Sequence, residues 1–280
     1  MTAVPTVRLN NGVEIPQLGF GVFKVPPEQT EDVTRTALEV GYRHVDTAQM
    51  YGNEAGVGRA VRSAGLDRDE VFVTSKLDNP NHARDDALRS FDGTLAELGF
   101  DHVDLFLIHW PLPGVGDFVD TWHAMEEIYR SGRARAIGVS NFKPHHLRRL
   151  LAAAEVVPAV NQIEVHPYLA QDDVRAFGTE HGIVTEAWAP IARGRVLDDP
   201  VITTIAKRLE RTPAQVTLRW AIQRGDVVFP KSVSRGRIEE NFDLFDFELS
   251  DADLASIAAL DKGEDGRTGP NPDAFAFIPD

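Results

Sequence analysis

The stretch VFVTSKLDNPNHARDDALRSFDGTLAELGFDHVDLFLIHW, residues 71–110, contains two apolar runs separated by a polar segment. The runs VFVTSK (71–76) and VDLFLIHW (103–110) are rich in β-branched, aromatic and other apolar residues, which is typical of buried strands. The segment RDDALRSFDGTLAELG (84–99) has the apolar spacing of an amphipathic helix. A strand, a helix and a second strand in this order predict two parallel strands joined by a helical crossover.

The same alternation continues along most of the 280-residue chain. Its eight β-type runs are LGFG (18–21), YRHVD (42–46), VFVTSK (71–76), VDLFLIHW (103–110), RAIGVSN (135–141), AVNQIE (159–164), IVTEAW (183–188) and VVFPKS (227–232). Strands that alternate with helices form parallel sheets, and eight such units match a (β/α)8 barrel of about 250 residues. A doubly wound dinucleotide-binding sheet would need a G-x-G-x-x-G turn after its first strand, whereas GFG (19–21) lacks the third glycine. We therefore predict a single TIM-barrel domain, class α/β, over residues 1–280.

Two additions to the barrel are expected, one near each end of the chain. The segment VRLNNGVEIPQ (7–17) predicts an N-terminal β-hairpin that turns at Asn11-Gly12, a pair that favours tight hairpin turns. Extra C-terminal helices are expected after the last strand. In one of them, FELSDADLASIAAL (247–260), Ser250 and Asp253 have the spacing of a capping box.

Composition limits the possible partners and the compartment. The formal net charge is -14 at pH 7, and an acidic surface repels nucleic acid and anionic membranes. There is no cysteine, which excludes disulfides and thiol chemistry and fits a reducing cytoplasm. The stretch MTAVPTVRLNNG (1–12) lacks the pattern of a signal peptide, and no apolar run approaches the ~20 residues that span a bilayer. We expect a cytoplasmic protein that binds neither nucleic acid nor membranes.

Polar residues end several of the predicted strands, where a (β/α)8 barrel carries its chemistry. Three neighbouring strands end near Asp46, Lys76 and His109, and Tyr51 follows the first of them in a turn. Singly, each has an ordinary explanation, such as a capping carboxylate, a lysine that reaches solvent or a core histidine. Because adjacent strand ends bring them together, they jointly predict one functional pocket. Further polar residues at strand ends are Ser140, Asn141, Gln162, Glu164, Lys231 and Ser232.

A metal-dependent hydrolase is a competing interpretation, since barrels of that class gather their ligands at strand ends. Such sites need several converging imidazoles or carboxylates. Only His109 and His166 are expected at suitable positions, whereas His145, His146 and His181 belong to helix ends. We therefore predict no metal site.

Several long motifs resemble blocks of the aldo-keto reductase family, in the order in which that family has them. They are GYRHVDTAQMYGNEAGVG (41–58), TSKL (74–77), VDLFLIHWP (103–111), IGVSNF (137–142), VNQIEVHP (160–167) and PKSVSRGRIEENF (230–242). The resemblance extends from about residue 8 to about residue 272. Through GVFKVPP (21–27) and LRWAIQRGDVVFPKSV (218–233), the chain looks most similar to the bacterial 2,5-diketo-D-gluconate reductase-like branch.

The resemblance implies an NADPH-dependent oxidoreductase of the alcohol dehydrogenase (NADP+) type that reduces aldehydes, dicarbonyls or ketones. It implies a catalytic tetrad of Asp46, Tyr51, Lys76 and His109. Hydride reduction of a carbonyl needs an acid that protonates the developing alkoxide. A free tyrosine titrates near ~10, and an adjacent Lys76 ammonium would lower that value while Asp46 holds the lysine. His109 would orient the carbonyl oxygen.

By similarity, the cofactor is NADPH/NADP+, bound extended across the barrel mouth, which accounts for the missing glycine-rich turn. The resemblance assigns the nicotinamide carboxamide to Ser140, Asn141 and Gln162, and stacking on the ring to Trp188.

The adenosine end of the cofactor is assigned to the segment after the last strand. Lys231, Ser232 and Arg237 match positions that contact the 2′-phosphate, and Glu240 and Asn241 match contacts to the adenine. In an acidic protein, this local basic cluster suits a phosphate.

The sequence departs from the family pattern at Asp78, where the branch usually has a tryptophan. We expect Asp78 to line a substrate pocket with Phe23 and Trp110, and to favour neutral aldehydes and dicarbonyls over keto-sugar acids. Phenylalanines of the tail are candidates for the same pocket. A second departure is Ala192, which replaces a common glycine in the loop that covers the pyrophosphate.

One alternative function remains on the same fold. Some barrels of this family serve as cofactor-binding regulatory subunits with little turnover, although an intact tetrad argues against that role here. The resemblance also implies a small-molecule carbonyl substrate and a monomer.

Overall fold

A computed structural model of the chain describes residues 4–278. Residues 1–3, at the start of the stretch without a signal-peptide pattern, and residues 279–280 of the tail lie outside the described range.

The predicted amino-terminal hairpin is present. Strands β1 (Thr6–Arg8) and β2 (Glu14–Pro16) pair in antiparallel orientation. Their connecting turn contains Asn11 and Gly12, and Gly12 has a φ of 88°, which a residue without a Cβ adopts readily. Ile15 of the second strand is fully buried, so the hairpin packs against the barrel instead of extending into solvent.

Eight parallel strands follow the hairpin and lie side by side in chain order. They are β3 (Phe20–Gly21), β4 (His44–Asp46), β5 (Phe72–Leu77), β6 (Val103–Ile108), β7 (Ala134–Ser140), β8 (Val160–Glu164), β9 (Val184–Trp188) and β10 (Val227–Val228). Three backbone hydrogen bonds close the sheet, from Gly19 N to Val228 O at 2.9 Å, from Val228 N to Gln17 O at 3.0 Å and from Gly21 N to Pro230 O at 3.3 Å. The predicted (β/α)8 barrel is confirmed.

The last strand is shorter than the predicted run VVFPKS (227–232). Strand β10 ends at Val228, and Pro230 has no amide hydrogen with which to extend the ladder. Lys231 and Ser232 consequently lie in the loop beyond the strand instead of at its end.

Helices surround the barrel and connect its strands. Those of the described residues are α1 (Pro27–Val40), α2 (Glu54–Ser63), α3 (Arg84–Leu98), α4 (Phe118–Arg130), α5 (Pro144–Leu151), α6 (Asp172–Glu180), α7 (Pro200–Leu209), α8 (Pro213–Gln223), α9 (Arg235–Phe242) and α10 (Asp251–Ala258). The capping box of α10 is present, since Asp253 N donates to Ser250 Oγ and Ser250 N donates to Asp253 Oδ2. Among residues 4–278, no helix has the length and apolar character needed to cross a membrane.

The barrel interior separates an apolar end from a polar end. Buried Leu105, Leu107 and Val160 pack in one cluster with Leu9 and Ile15 from the hairpin side. A second and larger apolar cluster includes side chains of both the strands and the surrounding helices. These two clusters supply most of the apolar burial, which leaves the carboxyl ends of the strands available for polar groups.

The tail after α10 is fastened across the carboxyl ends of the strands. Thr268 N donates to the buried Glu164 carboxylate at 2.7 Å, and Lys143 Nζ lies 2.9 Å from Asp273 Oδ2. These contacts place Phe275 over the barrel mouth, next to Trp110.

Helix α2, which begins directly after the turn that carries Tyr51, packs closely on the end of α3. The contact depends on Gly58, because a Cβ built at this position would lie 2.0 Å from the backbone oxygen of Leu98. No flexible side chain can move aside there, so any larger residue must displace the helix.

Gly58→Ala should therefore lower the free energy of unfolding by about 2–3 kcal/mol, since overpacking forces a backbone shift. Gly93→Ala, in the exposed interior of α3 with no neighbouring atom within 4 Å, should instead raise it by about 0.5–1 kcal/mol. Urea unfolding of the two variants measures both effects. A Gly58→Ala variant as stable as Gly93→Ala would contradict this packing.

Candidate active site

A buried ion pair lies at the centre of the site. Lys76 Nζ is 2.7 Å from Asp46 Oδ1 and donates to Thr47 O at 2.8 Å. Lys76 is fully buried and Asp46 nearly so. Burial alone would lower the pKa of Lys76, but the charges of Asp46 and Tyr51 and the hydrogen bond to Asp46 outweigh it and raise that pKa. The lysine is therefore a permanent cation inside the barrel.

The turn residues after Asp46 explain how Tyr51 is presented to this pair. Tyr51 ends a short 3-10 turn, and Gly52 follows with a φ of 64°, a conformation that favours glycine. Asn53 fixes the turn from inside, because its Nδ2 donates to Val22 O at 3.0 Å and its Oδ1 accepts from Thr47 Oγ1 at 2.8 Å. Apolar residues at positions 52 and 53 could provide neither the left-handed backbone of Gly52 nor the side-chain hydrogen bonds of Asn53.

The Tyr51 ring lies beside the lysine, with Lys76 Nζ 5.1 Å from the ring centroid. Burial raises the pKa of Tyr51 to about 12, and the Lys76 charge opposes this rise without reversing it, so the lowered pKa expected from the sequence is wrong. The phenol therefore carries its proton at neutral pH and is available as a donor. The ring also contacts His109, with centroids 5.7 Å apart in a T-shaped arrangement.

His109 follows strand β6 and is neutral. Burial, with help from the Lys76 charge, holds its pKa well below the usual value. Its Nδ1 is buried without a hydrogen-bond partner among residues 4–278, so the other ring nitrogen is the one that faces the cavity. The structure thus brings Asp46, Tyr51, Lys76 and His109 together, as the sequence predicts.

The four residues that the resemblance assigns to the nicotinamide also converge. Asn141, at a φ of 66°, donates from Nδ2 to His109 O at 2.9 Å and accepts from Trp188 Nε1 at 2.8 Å. Ser140 Oγ donates to the backbone oxygen of Gln162 at 2.8 Å. Strands β7, β8 and β9 therefore present these side chains next to the ion pair.

All of these groups except Lys76 line one cavity of about 560 Å³ at the barrel mouth. Its wall is mainly apolar and aromatic, and three cations (Lys24, Arg193 and Lys231) are also among the lining residues. The remaining apolar lining residues include Phe23, Met50, Trp110, Ile191, Phe229, Pro270 and Phe275. The sequence analysis did not single out Lys24, Met50 or Phe229 as lining residues.

The role of Asp78 in a substrate pocket stays a prediction. Asp78 is not among the residues around the cavity, whereas the other two predicted pocket residues, Phe23 and Trp110, are. Its carboxylate turns back along the chain and accepts from Asn79 N at 2.7 Å, which caps a short 3-10 turn. A free backbone N–H is a better partner for a carboxylate than an apolar wall.

The residues predicted to hold the adenosine end lie apart from the cavity, at the start of α9. Ser232, Arg237, Glu240 and Asn241 do not contribute to the cavity wall, in contrast to Lys231. Glu240 Oε1 accepts from Thr212 Oγ1 at 2.8 Å, so it also supports the start of α8.

Two arginines of α9 differ in their surroundings. Arg235 pairs with Glu39 and Glu239, each at 3.0 Å. Arg237 is exposed and forms no salt bridge with any described residue. A free guanidinium remains available to an anionic ligand.

A further acidic residue, Glu186, was not predicted from the sequence and is fully buried on β9. Burial and the charge of Asp46 raise the pKa of Glu186 to about 8. Its Oε2 accepts from Gln162 Nε2 at 2.8 Å, and the same nitrogen donates to Asp46 Oδ1 at 2.8 Å. The only signal in the sequence is one acidic residue inside the run IVTEAW (183–188).

Comparison with known proteins assigns the chain to a family. The profile of the Aldo/keto reductase family matches residues 17–262. Glyoxal reductase of Bacillus subtilis (strain 168) is 48% identical over 274 residues, covering 97% of this chain and 98% of the relative. Morphine 6-dehydrogenase of Pseudomonas putida is 49% identical over 281 residues, covering 96% of this chain and 94% of the relative. The crystal structure of a Gox0644 mutant in complex with NADPH has a TM-score of 0.94 at 43% identity and covers 99% of this chain and 100% of that chain.

Glu186→Gln should remove a pH dependence of stability. The folded-state pKa of about 8 lies above the ordinary value of 4.5, so between these values the folded state retains a proton that the unfolded state releases. Wild-type stability should therefore fall relative to Glu186→Gln as pH rises through this interval, on the order of 1 kcal/mol per pH unit. Urea unfolding of both proteins across the interval measures the difference, and parallel pH profiles would contradict the raised pKa.

Proposed function

The chain belongs to the aldo/keto reductase family, and we propose that it catalyses the NADPH-dependent reduction of small carbonyl compounds to alcohols, with Tyr51 as the proton donor. The observation that carries the proposal is the buried Lys76–Asp46 pair beside the Tyr51 ring, at the wall of an apolar cavity. A charged pair inside a barrel is costly to desolvate. A reaction that leaves a phenolate on Tyr51 accounts for its presence, because the Lys76 ammonium stabilises that charge.

Each group of the tetrad has a distinct task in this proposal. Tyr51 donates its phenolic proton to the alkoxide that forms on the substrate, and the resulting phenolate is stabilised by the Lys76 ammonium. Asp46 holds the lysine in place at 2.7 Å. The lowered pKa of His109 keeps its imidazole neutral, so Tyr51 and not His109 supplies the proton. A neutral imidazole still has one N–H, which can donate a hydrogen bond to the carbonyl oxygen. The reverse oxidation uses the same groups with the proton returning to Tyr51.

The residues present fit a nicotinamide dinucleotide. Gln162 lines the cavity and its Oε1 accepts no hydrogen bond from the described residues, which suits a carboxamide N–H2. The cations Lys24, Arg193 and Lys231 stand at the mouth of a protein with a net charge of -14, where a pyrophosphate requires them. When bound, NADPH would supply the hydride.

We propose neutral aldehydes and dicarbonyls as the substrate class. The Trp110 and Phe275 rings pack with centroids 4.2 Å apart, and Phe23 lies 5.0 Å from the Tyr51 ring. These aromatic walls offer apolar contact on the substrate side. The Asp46 carboxylate is paired with Lys76, and the Asp78 carboxylate accepts from Asn79 N, so we attribute the preference to the aromatic wall.

Tyr51→Phe should lower kcat for aldehyde reduction by about a thousandfold or more, since it removes the general acid, while the dissociation constant of NADPH stays within about twofold. Steady-state kinetics and fluorescence titration measure the two quantities. Tyr129→Phe removes a hydroxyl on helix α4 and serves as the matched control. Wild-type turnover in Tyr51→Phe would contradict the assignment of the proton donor. A wild type that binds NADPH and reduces no aldehyde would favour the regulatory-subunit alternative.

Arg237→Ala should narrow the preference for NADPH over NADH by about 10- to 100-fold, because a charged hydrogen bond to the 2′-phosphate is worth about 1.5–3 kcal/mol. Arg235→Ala on the same helix should change the preference much less, since Arg235 already pairs with two glutamates. The ratio of kcat/KM for the two cofactors tests both variants. Equal efficiency of the wild type with both cofactors would refute the phosphate site.

A further inference from the structure

Gln162 is held between two carboxyl groups that lie on different strands. Its Nε2 donates to Asp46 Oδ1 and to Glu186 Oε2, both at 2.8 Å. Glu186 is the register neighbour of Gln162 on β9, whereas Asp46 lies on β4. Both hydrogens of one amide nitrogen are therefore used inside the barrel.

This arrangement fixes which way the amide points. A reversed amide would bring Gln162 Oε1 against the oxygen of ionised Asp46, which repels it. Asp46 alone restrains one N–H and leaves the amide free to rotate about that bond. The second acceptor, Glu186, lies in another direction and so fixes the plane of the amide.

With both hydrogens bound inside the barrel, the carbonyl oxygen is directed to the opposite side. Gln162 contributes to the cavity wall, and its Oε1 accepts no hydrogen bond from residues 4–278. The amide thus presents an open acceptor to the cavity.

We propose that Glu186 is a positioning residue, which orients the Gln162 amide so that Oε1 accepts a hydrogen bond from the carboxamide of a bound nicotinamide ring. This inference rests on the proposed function, since it assumes a nicotinamide cofactor. Glu186 does not line the cavity, so it acts only through Gln162.

The protonation of Glu186 is compatible with this role. Burial and the Asp46 charge raise the pKa of Glu186 to about 8, although the Gln162 hydrogen bond and the Lys76 charge act in the other direction. At neutral pH, Glu186 can therefore accept from Gln162 without adding a second negative charge beside Asp46. Its remaining oxygen, Oε1, is buried without a partner among the described residues.

The test compares two ligands by isothermal titration calorimetry: NADP+, and 2′-phosphoadenosine diphosphoribose, which lacks the nicotinamide. Glu186→Leu should weaken NADP+ about tenfold, the value of one ordinary hydrogen bond, and leave the diphosphoribose within about twofold. Glu186→Gln retains a carbonyl that can accept from Gln162, so its affinity for NADP+ should stay within about threefold of the wild type.

Two results would overturn the proposal. One is a folded Glu186→Leu variant that binds NADP+ as the wild type does. The other is an equal loss for both ligands, which indicates a general structural role. A wild type that binds the diphosphoribose but shows no added affinity for NADP+ would instead count against the proposed cofactor, and the inference would fall with it.

A double substitution keeps the test decisive if Glu186→Leu does not fold. Gln162→Leu and Gln162→Leu/Glu186→Leu leave no amide for Glu186 to orient. Their NADP+ affinities should be equal, because position 186 acts through Gln162. A further loss in the double variant would show that Glu186 acts by another route and would overturn the proposal.

Discussion

The candidate active site depends on one buried ion pair, that of Lys76 with Asp46. Removing an ammonium and a carboxylate from water is costly, and the cost is offset only when further hydrogen bonds complete both groups. Here Thr47 O and Gln162 Nε2 do so. The pair in turn governs its neighbours: it opposes the rise of the Tyr51 pKa, contributes to the lowered pKa of His109 and, through Asp46, raises that of Glu186. Three neighbouring ionisable groups thus have pKa values that depend on one contact as well as on their burial.

This concentration of charge is tolerated because stability is supplied elsewhere. Residues of the hairpin region and of the strands form one apolar cluster, and other residues of the strands form a larger cluster with the helices. Neither cluster contains a residue of the ion pair. A barrel can therefore carry a desolvated charge at one end without losing its core, which is the general reason that this fold places chemistry at the carboxyl ends of its strands.

Much of this architecture could be predicted from the sequence, and the failures have physical causes. Asp46, Lys76 and His109 were identifiable because a charged or imidazole side chain at the end of a buried run has few structural explanations. Glu186 was not, because between Thr185 and Ala187 it resembles the outward-facing polar position of an alternating strand. The contact of the Asp78 carboxylate with the adjacent backbone N–H of Asn79 could not be predicted, because side chain–backbone hydrogen bonds of this kind depend on the local turn conformation.

The family and the fold are confirmed, whereas the roles of individual site residues stay predictions. Ala192 illustrates the difference. The sequence analysis noted only that it replaces a glycine, and the structure gives it a φ of 49° in a fully buried position. A left-handed conformation at a residue with a Cβ is strained, so position 192 keeps a backbone conformation that favours glycine although it carries an alanine.

The seam of the barrel has a consequence for how the chain acquires its shape. The segment around Gly19 meets the segment around Val228 through few backbone hydrogen bonds, and Gln17 also reaches Ile222 O and Asp226 O across more than 200 positions of sequence. Contacts between such distant segments form late in folding, because bringing the two segments together costs chain entropy before their contacts can stabilise the fold. Gly21 lies on one side of this seam and Phe229 on the other, and both line the cavity. We therefore expect the binding cavity to be absent from partly folded chains and to be completed in the last step of folding.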